Sequence, residues 1–171
     1  MKGTRVRLIM LETEDLLMLL EDPEELESKL GYKIFIHKDK RLNHAIKTKL
    51  EMIQKHPKEI EWYTYYGIFH LDLGIIIGLI GFKDVPDEIG ESEIGYGIAP
   101  SFEGKGFATE ALQLLSDKGF HNHELSQIIA KTNVGNFPSQ RVLIKNGFEK
   151  ISENEMHIRW GLRNTCSFDG E

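Results

Sequence analysis

Cysteine is all but absent. Cys166 is the only one in the 171 residues, so no disulfide can form within the chain, and a reducing, cytoplasmic setting is the expectation. Long apolar runs are missing as well. No 18 consecutive apolar residues occur, which speaks against a transmembrane helix. The opening MKGTRVRLIMLETED turns acidic too soon for a signal peptide. Positive charge is in deficit: 21 basic against 27 acidic residues leave a formal charge of −6, a poor basis for holding nucleic acid by phosphate attraction. Metal-ligand spacing is also lacking. His121, His123 and Glu124 share a short link with no cysteine or further spaced ligand nearby, so they read as a surface turn, and no metal is expected. With no internal repeat or low-complexity block, residues 1–163 read as a single domain and 164–171 as a polar tail.

What is present alternates between two periodicities. Residues 4–10 read as a strand with Val6 and Leu8 on one face. Thr13, followed by Glu14 and Asp15, looks like an N-cap, and a second helical piece starts at Asp22-Pro23 and stops at Gly31. Residues 39–55 carry Leu42, Ala45, Ile46, Leu50 and Ile53 at helical intervals; residues 32–36 are too short to assign. From Trp62 the chain becomes β-rich. Residues 62–71 are aromatic and β-branched, 75–82 (IIIGLIGF) form an almost unbroken apolar run, and 93–98 alternate. Short turns make these three an antiparallel meander. A helix to about Phe120, a strand at 127–132, a short helix at 139–145 and two strands at 148–151 and 156–160 complete a mixed α/β chain. One parallel crossover links strand 93–98 to strand 127–132.

The most informative stretch is EIGYGIAPSFEGKGFATEA, residues 93–111. Pro100 ends the strand, glycines 104 and 106 flank Lys105, and apolar residues then recur at helical spacing. A strand, a glycine loop and a helix N-terminus together hold phosphate well: the first helical N–H groups lack intrahelical partners and the helix dipole is positive there. Neither of two common phosphate patterns fits. Phe107 stands where a Walker A loop has Lys, and Thr109 stands where a dinucleotide fingerprint has its third glycine. A plain glycine turn capping an ordinary helix is the bland alternative.

Residues 103–108, Glu-Gly-Lys-Gly-Phe-Ala, resemble the [QR]-x-x-G-x-[GA] acetyl-CoA loop of the GNAT N-acetyltransferases, with Glu103 in place of the usual Gln or Arg. A second stretch, residues 130–150, carries Asn136, Ser139, Arg141, Val142, Leu143, Lys145, Gly147 and Phe148 in a pattern similar to the ribosomal-protein N-terminal acetyltransferase (RimJ/RimL-like) branch. The resemblance implies an α/β GNAT fold: a mixed, mostly antiparallel sheet with a splayed parallel strand pair and helices on both faces. It implies acetyl-CoA as co-substrate. Backbone groups of Glu103, Gly104, Lys105, Gly106, Phe107, Ala108 and Thr109 would meet the pyrophosphate, and Ile98 would pair with the pantetheine in the manner of an added strand. Asn136 would touch the cofactor from the other wall and Ser139 would lie near the thioester sulfur. As plain residues, Asn136 reads equally as a cap and Ser139 as a first-turn helix residue.

Acetyl transfer to a primary amine needs a base, an oxyanion donor and an acid for the departing thiolate. Backbone N–H groups near 96–98 would supply the donor. The resemblance implies a Tyr acid, as in many relatives, where this chain has Leu143, and a Glu base, as in some, where it has Lys131, so Ser139 becomes the candidate acid and Glu93, through water, the candidate base; His70 is a second choice. No G-x-S-x-G element suggests an acyl-enzyme. The acceptor would be a small-molecule or peptide amine, and an exposed edge strand would suit a homodimer. The rival reading is an inactive CoA- or nucleotide-binding regulatory module.

Overall fold

The computed structural model of the protein describes residues 3–165. Of the tail expected from residue 164 on, residues 166–171, Cys166 among them, lie outside the described residues. Asn164 itself is tied back, its N–H donating to the Ser126 carbonyl at 2.9 Å.

The chain runs β1 (Val6–Met10), α1 (Thr13–Glu21), α2 (Pro23–Leu30), β2 (Lys33–Ile34), α3 (Lys40–Lys55), α4 (Ile60–Tyr63), β3 (Tyr66–His70), β4 (Ile75–Phe82), β5 (Glu91–Ile98), α5 (Phe107–Phe120), β6 (Gln127–Asn133), α6 (Phe137–Lys145), β7 (Glu149–Glu153) and β8 (His157–Arg163). Strands pair in the order β1-β3-β4-β5-β6-β8-β7, with β2 running parallel to the start of β4. All other pairs are antiparallel except β5–β6. Residues 32–36, too short to assign from sequence, thus contain a two-residue strand.

The core sits around β4. Seven of its eight residues are buried, so helices must cover both faces of the sheet there, as the unbroken apolar run required. α5 packs on β1, β4 and β5; α4 also packs on β4; α1 and α3 pack on each other. The α3 stripe expected from periodicity delivers Ile46 and Ile53 to this core.

Three expected boundaries shift. Strand 62–71 begins only at Tyr66: Trp62 and Tyr63 lie on the short helix α4, which continues a helical turn started by Pro57. Their rings are buried from that turn, Trp62 against Phe82 at 4.7 Å between centroids and Tyr63 stacked on His56 at 5.5 Å. Aromatic content signalled burial correctly but not backbone conformation. Thr13 is the first helical residue, not the cap; Glu12 precedes it, with its N–H donating to Asp15 Oδ2 at 2.8 Å. The helix expected from Ser139 starts two residues earlier, at Phe137, with Asn136 as its cap.

The parallel pair matters most for function. β5 and β6 are bonded only over Glu91–Gln127, Ser92–Ile128 and Glu93–Ile129. Beyond Glu93, β5 stays paired with β4 while β6 stays paired with β8 as far as Asn133, so the two strands part and leave one edge of residues 94–98 without a strand partner among the described residues.

Candidate active site

The fork between β5 and β6 opens into a cleft of about 400 Å³. One wall is Tyr96, Gly97 and Ile98 of β5. The second is Phe102, Glu103, Gly104 and Gly106 with the first turn of α5 (Phe107, Ala108, Thr109). The third is α6 with its cap: Asn136, Pro138, Ser139, Arg141, Val142 and Lys145. The sequence-derived candidates Ile98, Glu103, Gly104, Gly106, Phe107, Ala108, Thr109, Asn136 and Ser139 therefore come together at one cleft. Lys105 does not line it; its ammonium folds back to donate to the Ser101 carbonyl at 2.9 Å.

The loop takes its shape from Gly104 and Gly106, at φ 72° and 88°, left-handed values that residues with a Cβ adopt only under strain. Gly106 is the N-cap of α5, leaving the first N–H groups of that helix facing the cleft without intrahelical acceptors. Arg5, just before β1, clamps the loop from behind. Its guanidinium donates to the Lys105 carbonyl at 2.9 Å and to Glu110 Oε1 at 2.6 Å, and stacks over the Phe107 ring at 4.5 Å. The Arg5 backbone N–H also donates to Glu110 Oε2, at 2.9 Å. Turning the Lys105 carbonyl toward Arg5 keeps it away from an anion in the cleft.

Across the fork, Tyr96 Oη and Ser139 Oγ lie 2.7 Å apart, and either hydroxyl can donate. Burial pushes the Tyr96 hydroxyl pKa up, against the opposing effect of the bond to Ser139, so the phenol keeps its proton at neutral pH. Asn136 Oδ1 accepts the Ser139 N–H at 3.2 Å, so the cap that starts α6 also places Ser139. Leu143, at the position where the resemblance implies a tyrosine, is fully buried. Tyr96 was missed as a side-chain candidate because only its backbone was read into the site. Arg141 and Lys145 enter the sequence pattern only as motif positions; their spacing of four on a short helix is the signal that puts both on one face.

A second cavity, of about 420 Å³, lies against the same end of β5. It shares Tyr96, Gly97 and Ile98 with the first and adds Gly78, Leu79, Lys83, Gly95 and Ala99 from the sheet region, Tyr65, and Ile36, His37, Asp39, Arg41, Leu42 and Ala45 from the start of α3 and the segment before it. Of the aromatic group at 62–66, Tyr65 reaches it. Gly78 is forced here: a Cβ would sit 2.3 Å from the Gly97 carbonyl oxygen.

Glu93 stands at the crotch of the fork and lines neither cavity. Its carboxylate pairs with the Lys83 ammonium and lies 3.6 Å from Lys131 Nζ. By strand alternation it lies on the same face of β5 as Gly95 and Gly97, which do line the second cavity. His70 is buried among the Phe102 and Phe107 rings beneath the loop, its Nδ1 accepting the Leu73 N–H at 3.3 Å. His121 Nδ1 contacts the Asp117 carbonyl at 2.5 Å. Among the described residues no group of three or more His, Cys, Asp or Glu is arranged to hold a metal, and no helix is long and apolar enough to cross a membrane.

Residues 5–149 match the family model described as an acetyltransferase (GNAT) domain. The chain is 43% identical over 75 residues to the uncharacterized N-acetyltransferase p20 of Bacillus licheniformis, covering 44% of this chain and 42% of that protein. It is 34% identical over 73 residues to the ribosomal-protein-serine acetyltransferase of Escherichia coli, covering 43% and 41%. The chain spans less than two thirds of the length of these curated relatives. Among solved structures, that of the ribosomal-protein-S5-alanine acetyltransferase of Vibrio fischeri superposes with a TM-score of 0.69 over 97% of both chains, at 18% identity, a likeness of fold.

Proposed function

The chain belongs to the GNAT acetyltransferase family, and on that premise we propose that it moves an acetyl group from acetyl-CoA to a primary amine, by direct attack within a ternary complex. The observation that carries this reading is the meeting of two cavities at Tyr96, Gly97 and Ile98. The cofactor belongs in the first. Its pyrophosphate takes the free N–H groups of the loop and of α5, while Arg141 and Lys145 add positive charge. Its pantetheine runs along the free edge of β5, with Ile98 as a partner. The amine belongs in the second cavity, so that nucleophile and thioester meet at the strand between them.

There the amine nitrogen attacks the thioester carbon, the backbone N–H groups of residues 96–98 steady the oxyanion, and the C–S bond breaks with its electron pair passing to sulfur. Ser139 gives the thiolate a proton and Tyr96 replaces it. Glu93, paired with Lys83 and Lys131, takes the amine proton through water lying along Gly95 and Gly97. The acceptor is a small-molecule amine or a peptide N-terminus, and the setting is the cytoplasm.

Thermal denaturation with acetyl-CoA, ATP or NAD tests the cofactor. A ligand of the folded state adds about 2.7 kcal/mol at 100 times its dissociation constant. A rise of several degrees with acetyl-CoA alone is expected. Thiol release in the presence of amines then separates an enzyme from an inactive CoA-binding module. A shift with ATP or NAD equal to that with acetyl-CoA would overturn the assignment.

A further inference from the structure

Resting on that reading, we infer that the acceptor is a compact amine carrying an anionic group, whose amine end points toward Glu93 and whose anionic end meets Arg41 at the start of α3. The cavity's charges are unequally engaged. Among the lining residues only Asp39 carries a carboxylate, and Glu93 stands beside the lining Lys83; both carboxylates have partners. Asp39 caps α3, with Oδ1 accepting the Leu42 N–H at 2.8 Å. That bond, more than the nearby His37 and Arg41, holds its carboxyl below the usual range and fixes its charge inside the fold. Glu93 is paired with Lys83 and Lys131. Neither is left over for a second ammonium.

One cation, Arg41, is left over. No carboxylate oxygen lies within 4 Å of the Arg41 guanidinium nitrogens among the described residues. His37 lines the same cavity. Between the two ends the lining is apolar, including Ile36, Leu42, Ala45 and Leu79. A ligand with an amine at one end, a short apolar body and a carboxylate or phosphate at the other matches this order. A polyamine would set its second charge against Arg41 with no free carboxylate to receive it.

The test uses the full chain with saturating acetyl-CoA and three amines of matched length: 5-aminopentanoate, 5-aminopentanamide and 1,5-diaminopentane. Free thiol is followed, and kcat/KM is expected to fall in that order, with about a tenfold gap between first and last, the size of one charge-assisted contact. Arg41→Gln should collapse that gap. A diamine used as well as the carboxylate, or a gap that survives Arg41→Gln, would overturn the inference while leaving the transferase reading intact. No thiol release with any of the three, with acetyl-CoA still raising the melting temperature, would instead overturn the small-amine reading on which the inference stands.

Discussion

At the scale of single residues the site divides into groups that a local pattern announces and groups that it does not. Gly104 and Gly106 were legible because a left-handed turn before a helix leaves glycine in the sequence at fixed spacing. Arg5 was not, since its partners Lys105 and Glu110 are about a hundred residues away and no local rule connects them. Tyr96 was hidden by its own strand, where an apolar alternation explained it fully until Ser139 was found 2.7 Å away. Removing the Tyr96 hydroxyl (Tyr96→Phe) should lower kcat by about tenfold, and Ser139→Ala by about a hundredfold, both with little change in acetyl-CoA affinity. If the two act in one relay, the double variant falls no further than Ser139→Ala alone; additive losses measured in the cycle would separate their roles. Arg5→Lys keeps a charge but loses the fork that holds a carbonyl and a carboxylate together. Its KM for acetyl-CoA should rise about tenfold with kcat nearly unchanged, and an equal loss in both would show that Arg5 does more than position the loop.

Among the elements, helices and strands with a clear period were found where the sequence put them, apart from the exact starts of α1 and α6, and the larger misreading fell where aromatic density stood in for period, as at α4. On α3, Ile46 and Ile53 bracket Lys49 at helical spacing, so burial of the stripe takes a lysine with it. Lys49 falls on the buried side, donating to the Phe82 carbonyl at 2.7 Å. Burial, with a smaller contribution from Lys83, pulls its pKa down from 10.5 to about 7. The unfolded chain therefore holds a proton that the folded chain has released between about pH 7 and 10.5, and over that range stability rises with pH. Below pH 7 both states hold that proton, and the contribution of this group levels off at its lowest. Melting temperatures at pH 6, 7, 8 and 9 should climb for the native chain and climb less for Lys49→Met, which has no proton to exchange. Equal slopes in the two proteins would mean that Lys49 stays charged in the fold. The fork of β5 and β6 makes a second prediction at this scale. With Glu93 as the base, Glu93→Gln lowers kcat by about a hundredfold with acetyl-CoA affinity unchanged; an unchanged kcat would shift the proton to solvent or to another group.

Seen whole, the molecule is two half-sheets joined by a short seam. β1, β3 and β4 with β5 form one, and β6, β8 and β7 the other; between them run only three residue pairs, 91–127, 92–128 and 93–129. Arg159 of β8 reinforces the seam through an ion pair with Glu91 at 2.5 Å, while α5 packs against β1, β4 and β5 and touches α6. The order of elements made this division visible in outline, because one parallel crossover among antiparallel neighbours must fall somewhere in the sheet. The number of bonded pairs before the strands part depends on twist and on packing of α5 and α6, which no pattern of residues along the chain encodes. A ligand lying in the fork touches both halves and takes the place of the missing seam. Amide hydrogen exchange should show this directly. With saturating acetyl-CoA, protection should rise at residues 94–98 and at the loop and first turn of α5, and also along β6, which no cofactor atom need touch, because opening the fork now costs the bound ligand as well. β7, at the far edge with all five residues exposed, should exchange as before. Protection confined to the loop would mean that the cofactor binds one half-sheet only and that the fork is a fixed shape which the ligand does not brace.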